Sequence, residues 1–281
     1  MKPFRYFSDA SEDVLFSDYI YDSFEFTFNS LRPDLKSMVR LVKPFDSDSL
    51  VPNVAVSKRV NDIIKSKMVY IDSTLSKVFI INIPKINQLK TKLGVDYHTE
   101  DGFKNANIEA RWKDECLNGS IRYQKGFKED QSFEFAFAAG YGNLFGGGCL
   151  DYHGDEKKIE NYQLGAGFET QDFCFNIFTR EKLTLFGSDI FIALTDRLSL
   201  SGLALWNKDN RSFETEIGFA LGIDNEFFHT FKAKINNKLD LSSCLMVKIN
   251  DFLKTSLSFI MPVTLDSCRI GIGFSVESSL N

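Results

Sequence analysis

The chain has 281 residues, 43% of them hydrophobic and 25% charged, with a formal net charge of −5. That balance excludes a disordered chain and leaves one large folded domain or two small ones. With 28 Phe but only 6 Pro and 2 Trp, it favours strands and spares their ladder donors, so a soluble β-sandwich and a barrel with aromatic side chains turned outward are the architectures to weigh.

The first nineteen residues have no apolar run and carry Asp9, Glu12, Asp13 and Asp18. They fit neither a secretory signal nor an Arg-rich, acid-poor presequence, so targeting information is expected inside the mature chain, which speaks against a bacterial outer-membrane origin. Ala10, Val14 and the neighbouring Leu15 are spaced for a short helix, with Ser8 or Asp9 available as a cap. Residues 1–22 are therefore read as a helical segment ahead of the first strand, outside a barrel or within its lumen.

Ser23–Leu31 sets Phe24, Phe26 and Phe28 on one face of a strand. Residues 32–100 are less regular, and Asn82–Lys90 is ambiguous because Pro84 has no N–H to give a ladder. From about residue 103 the chain settles into segments of ~10 residues that alternate in character between short polar turns. Gln131–Gly140 opposes Phe133, Phe135 and Phe137 to Glu134, Ala136 and Ala138; Arg211–Leu221 opposes Phe213, Ile217 and Phe219 to Glu214 and Glu216. Glu226–Ile235 opposes Phe227, Phe231 and Ile235 to Lys232 and Lys234; Ser267–Val276 opposes Ile270, Ile272 and Phe274 to Arg269 and Ser275. Turns such as Asn207–Asn210, Ile223–Asn225 and Asn236–Lys238 are short enough for antiparallel neighbours. Sandwich strands run ~5–6 residues, whereas ~9–11 are needed to cross a bilayer at a tilt. The expected fold is all-β: one transmembrane antiparallel barrel of about 19 strands over residues 23–281, preceded by the short helix. No stretch of ~18 apolar residues offers a helical span instead.

Catalysis finds no support. The five cysteines, Cys116, Cys149, Cys174, Cys244 and Cys268, form no CxxC pair, and His98, His153 and His229 stand in no metal-ligand or nucleophile motif. Gly146-Gly147-Gly148 is not a phosphate loop, since no Lys or helix start follows it. No enzyme activity, metal, cofactor or nucleic-acid partner is expected.

The order and spacing of several pieces resemble the voltage-dependent anion channel family of mitochondrial porins. Ala139-Gly140-Tyr141 leads into Gly142–Gly147, followed by Asn161–Thr170, Thr195–Asn207 and Phe231–Asn237, each similar to the corresponding family segment. The last strand, through Arg269, Gly271, Phe274 and Val276, resembles the C-terminal β-signal of mitochondrial outer-membrane barrels, and Tyr6 to Tyr19 resembles the family's N-terminal helix. The resemblance implies a channel for anions and small metabolites in the mitochondrial outer membrane, with Asp9, Ala10, Val14 and Leu15 in a gating segment. The chain departs from the family in its acidic balance and in lacking a Gly-Leu-Lys triplet; Asp72 is a weak counterpart of a membrane-facing glutamate found in some members.

Alternation assigns Glu109, Arg111, Lys113, Arg122, Glu134, Arg180, Glu214, Glu216, Lys232, Lys234, Lys248, Lys254 and Arg269 to a wet inner wall, nine bases against four acids. Excess acids such as Asp151, Asp155, Glu156, Asp209 and Asp224 are expected in turns. A mild anion preference follows. Expected partners are membrane lipids, small anions and metabolites, and either further copies or a larger membrane complex. A protein-import barrel, a structural subunit of a membrane assembly and a soluble sandwich are the alternatives.

Overall fold

The computed structural model describes residues 9–32, 34–47, 49–60, 63–71, 73–82, 89–98, 102–126, 131–223, 228–250, 252–262 and 268–279. A short helix, α1 (Asp9–Leu15), is followed by nineteen strands. These are β1 (Ser23–Leu31), β2 (Leu35–Pro44), β3 (Val51–Arg59), β4 (Ile64–Ile71), β5 (Thr74–Asn82), β6 (Leu89–His98), β7 (Gly102–Lys113), β8 (Leu117–Gly126), β9 (Gln131–Tyr141) and β10 (Leu144–His153). The chain continues with β11 (Lys158–Glu169), β12 (Phe173–Arg180), β13 (Leu185–Ala193), β14 (Leu198–Asn207), β15 (Ser212–Gly222), β16 (Phe228–Asn236), β17 (Leu241–Lys248), β18 (Leu253–Met261) and β19 (Arg269–Ser279).

Each strand pairs antiparallel with the next, and β1 and β19 close the sheet side by side in parallel, with Phe24 opposite Ile272 and Leu31 opposite Ser279. An odd number of up-and-down strands leaves one pair running the same way, so this parallel seam follows from the count. At ~4.8 Å between strands and a tilt near 40°, such a cylinder is roughly 35–40 Å across between opposite backbones, too wide for side chains to fill.

Ser23–Leu31 appears as quoted above, and the four later strands appear with ends shifted by no more than three residues, Phe227 lying outside the described residues. The ladder is irregular between Phe228 and Thr230, where His229 falls, because β16 carries one residue more than β17 can pair there. Of the ambiguous stretch Asn82–Lys90, Asn82 ends β5 and Leu89 opens β6, while residues 83–88 lie outside the described residues, as do Asp72, Ser8 and Asp224.

Registers fix which side chains share a wall. The row Gly119, Phe137, Gly148, Leu164 and Thr179 runs across β8 to β12, while the adjacent row Asn118, Ala138 and Gly147 faces the other way. On the first wall stand Phe135 (43% exposed), Phe137 (58%), Ile177 (52%), Phe213 (56%) and Ile217 (65%). Exposure of such large apolar groups in a continuous band is what a lipid-facing surface requires. Tyr70, Tyr97 and Tyr152 recur on the same wall near one rim, each last but one in β4, β6 and β10, with Tyr123 three residues short of the end of β8, as an aromatic girdle would.

Candidate functional site

The other wall is identified by what lies against it. α1 rests on β13, β14, β15 and β16, inside the cylinder. Its buried face carries Val14 (2% exposed) and Leu15 (1%), two apolar residues that the helix turns away from water and onto the wall. The side chains of Asp9 and Ala10 are not among those described. Leu15 occupies the space that a larger residue at Gly218 would fill: a Cβ there would lie 2.9 Å from its Cδ2.

A chain of polar contacts fastens the segment along the wall. Ser11 donates to Asp189 Oδ1 at 2.8 Å, which also accepts from Asn176 Nδ2 at 2.8 Å. Ser201 Oγ donates to the Ser11 carbonyl at 3.4 Å. Lys232 is the anchor. Its Nζ donates to the Asp13 carbonyl at 2.8 Å and to Asp18 Oδ2 at 2.8 Å, with its side chain only 5% exposed. A cation so enclosed is tolerable because both bonds are charge-assisted. Beyond the helix, the Cys244 thiol donates to the Asp18 carbonyl at 3.2 Å and the Ile20 N–H donates to Ser258 Oγ at 3.0 Å. Ile20 then passes so close to β19 that a Cβ on Gly271 would overlap its carbonyl group. Rim contacts add Arg180–Glu12 at 4.0 Å and Arg269–Asp22 at 3.4 Å. The Tyr19 and Tyr21 phenols are held above the ordinary 10.0, chiefly because burial disfavours the phenolate.

Carried round the sheet by register, these contacts place all thirteen sequence-assigned wall residues on the inner face. Lys232 alone among them is enclosed by the segment, and Lys234 lies beneath it, 4.6 Å from the Phe16 ring and 3.4 Å from Glu216. Glu109, buried at 8% exposure, is paired with Arg111 and with Lys92 at 3.5 Å. Arg269 and Gly271 face inward, whereas Phe274 and Val276 face outward beside β1.

Sequence reasoning missed two groups. The docking residues Asn176, Asp189, Ser201 and Ser258 are all buried; the available signal was a polar residue inside an apolar run, as in Leu185–Ala193. The second group is a basic stretch of wall in the stretch that alternation left unread. Lys36, Arg40, Arg59, Lys65, Lys67, Lys90 and Lys92 join Arg111, Lys113 and Arg122 on the inner face of β2 to β8. Against these ten bases, the inner-facing acids on the same described strands are two, Asp96 and Glu109. Asp151, expected in a turn, lies in β10 on the inner face, where Glu134, Cys149 and Asp151 come within 4.8 Å of one another. The thiol donates to Glu134 at 3.6 Å and Asp151 at 3.7 Å.

A closed cylinder of strands, apolar outside and charged within, is a transmembrane β-barrel pore. The family model described as eukaryotic porin matches residues 5–266. The chain belongs to the eukaryotic porin family, with the channel function and outer-membrane location general to such barrels. No curated protein matches it.

Proposed function

We propose that this porin is a voltage-dependent channel passing anions and small metabolites across the mitochondrial outer membrane. One observation carries the reading. The N-terminal segment covers the wall from β13 towards β19, so the lumen left open runs past β1 to β12; its β2 to β8 arc carries ten bases against two acids, and Glu25, Glu134, Asp151 and Glu169 face inward on the rest. A permeating ion senses that wall rather than the net charge of −5, much of which sits at the rims.

The docked segment also supplies a mobile charge. Its described acids, Glu12, Asp13, Asp18 and Asp22, are held by Arg180, Lys232 and Arg269, contacts that a field across the membrane can strain. Release would carry negative charge into the passage and reduce its anion preference. Arg269, Gly271, Phe274 and Val276 act as the assembly signal, and lipids, small anions and further copies of the chain are its partners.

Purified protein in a planar bilayer under a salt gradient tests this. A reversal potential of anion-selective sign and conductance that falls at high voltage of either sign are expected. Cation selectivity would overturn the reading and favour a polypeptide-import barrel. Voltage response unchanged by deletion of residues 1–20 would remove the gating role.

A further inference from the structure

The outer wall bears one charge out of place. Among the described residues its charged side chains on regular ladders are Lys43, Lys58, Lys77 and Lys125. Lys43, Lys58 and Lys125 are each the last but one residue of their strand, where the wall meets the headgroups. Lys77 is the fourth of nine residues in β5, and registers place Met68 of β4 and Val95 of β6 beside it. Leu75, with Tyr70 and Tyr97 on either side, lies between it and the nearer rim. Its exposed ammonium stands 5.1 Å from the centre of the Phe79 ring, on the same face. A lone ammonium inside an apolar band is costly, and such residues mark sites where a counter-charge is supplied.

We propose that Lys77 binds the phosphate of an anionic phospholipid held against the outer wall of β4 to β6. The exposed side chains around it, Met68 at 44%, Val95 at 46%, Phe79 at 37% and Tyr97 at 48%, leave room for acyl chains rather than for a protein side chain packed from within. The ammonium leans on the Phe79 ring, and lysine's four-carbon stem is long enough to swing it along the apolar surface to the headgroup level, where the two flanking tyrosines present phenols. A second copy of this chain does not supply the charge, because no acid stands on the described regular ladders of its outer wall. The assignment rests on the barrel and its outward face, not on ion selectivity or gating.

The test uses full-length protein in vesicles of phosphatidylcholine with one part in ten phosphatidylglycerol. After extraction and washing in phosphatidylcholine micelles, the lipid retained per chain is measured. Wild type is expected to keep about one phosphatidylglycerol per chain, Lys77→Met no more than about a third of that, and Lys77→Arg and Lys125→Met the wild-type amount. Excess glycerol phosphate, the headgroup chemistry without chains, should not displace it. Equal retention by wild type and Lys77→Met overturns the proposal and leaves the counter-charge to an acidic residue of another membrane chain. Should Lys77→Met fail to insert, wild type decides alone: no enrichment of phosphatidylglycerol over its share of the vesicle overturns it. Conductance from the same vesicles reads the pore separately.

Discussion

Leu15→Ala separates docking from folding. The barrel is closed by its own ladders, whereas α1 meets it through one apolar face and a few polar bonds, so the loss falls on docking. Removing the buried part of a leucine costs about 2–5 kcal/mol, here with little relaxation because Gly218 and the Ala233 backbone form a rigid floor. At 1.4 kcal/mol per factor of ten, the undocked population rises by at least about 25-fold. Cys244 reports it. Its thiol is 1% exposed and lies under the Asp18 carbonyl, so it reacts only when the segment lifts. With Cys116, Cys149, Cys174 and Cys268 replaced by Ser, maleimide labelling of Cys244 should accelerate by that factor in Leu15→Ala, while strand content by circular dichroism is unchanged. A rate within threefold of the parent would show that Leu15 does not hold the segment, and the docking argument would fail.

Gly271→Val should expel Ile20 from the wall and expose Cys244 to the same reagent without altering Ser11 and Asp189; conductance noise should rise with it. Replacing Lys65, Lys67 and Lys92 together by Gln removes three of the ten bases on the β2 to β8 arc, and the salt-gradient reversal potential should move towards zero. The raised phenols of Tyr19 and Tyr21 give docking a pH limit. A phenol whose docked pKa exceeds its free value of 10.0 lends stability that is complete below pH 10 and is lost as pH rises towards the docked value. In an ultraviolet difference titration against the Tyr19→Phe, Tyr21→Phe double variant, these two phenols should ionise above pH 10, and Leu15→Ala should move that step down towards 10.

Where a strand separates apolar from polar side chains, its face could be read directly, which is why β9, β15 and β19 were legible to within a few residues. The stretch from β2 to β6 resisted for a physical reason. Its inner wall includes Val42, Val69, Val78 and Ile80, and its outer wall includes Ser37, Ser66, Lys77 and Thr91. With both kinds of residue on both faces, period-two alternation vanishes, and with it the basic wall that most shapes the open passage. The helix was visible in the spacing of Val14 and Leu15. Its seat was not, because Phe178 and Phe191 also face inward near it, so β12 and β13 look apolar on both sides and only Asp189 and Asn176 betray a polar partner.

The parallel seam between β1 and β19 has a bearing on how the protein comes to exist. Strand one's neighbour is made some 240 residues later, so until β19 is made the growing sheet has two raw margins of unmet amide and carbonyl groups. Hydrocarbon would penalise every one of them. Entry into the bilayer and the joining of β1 to β19 are therefore best met as one event, reached by a chain whose margins are shielded beforehand.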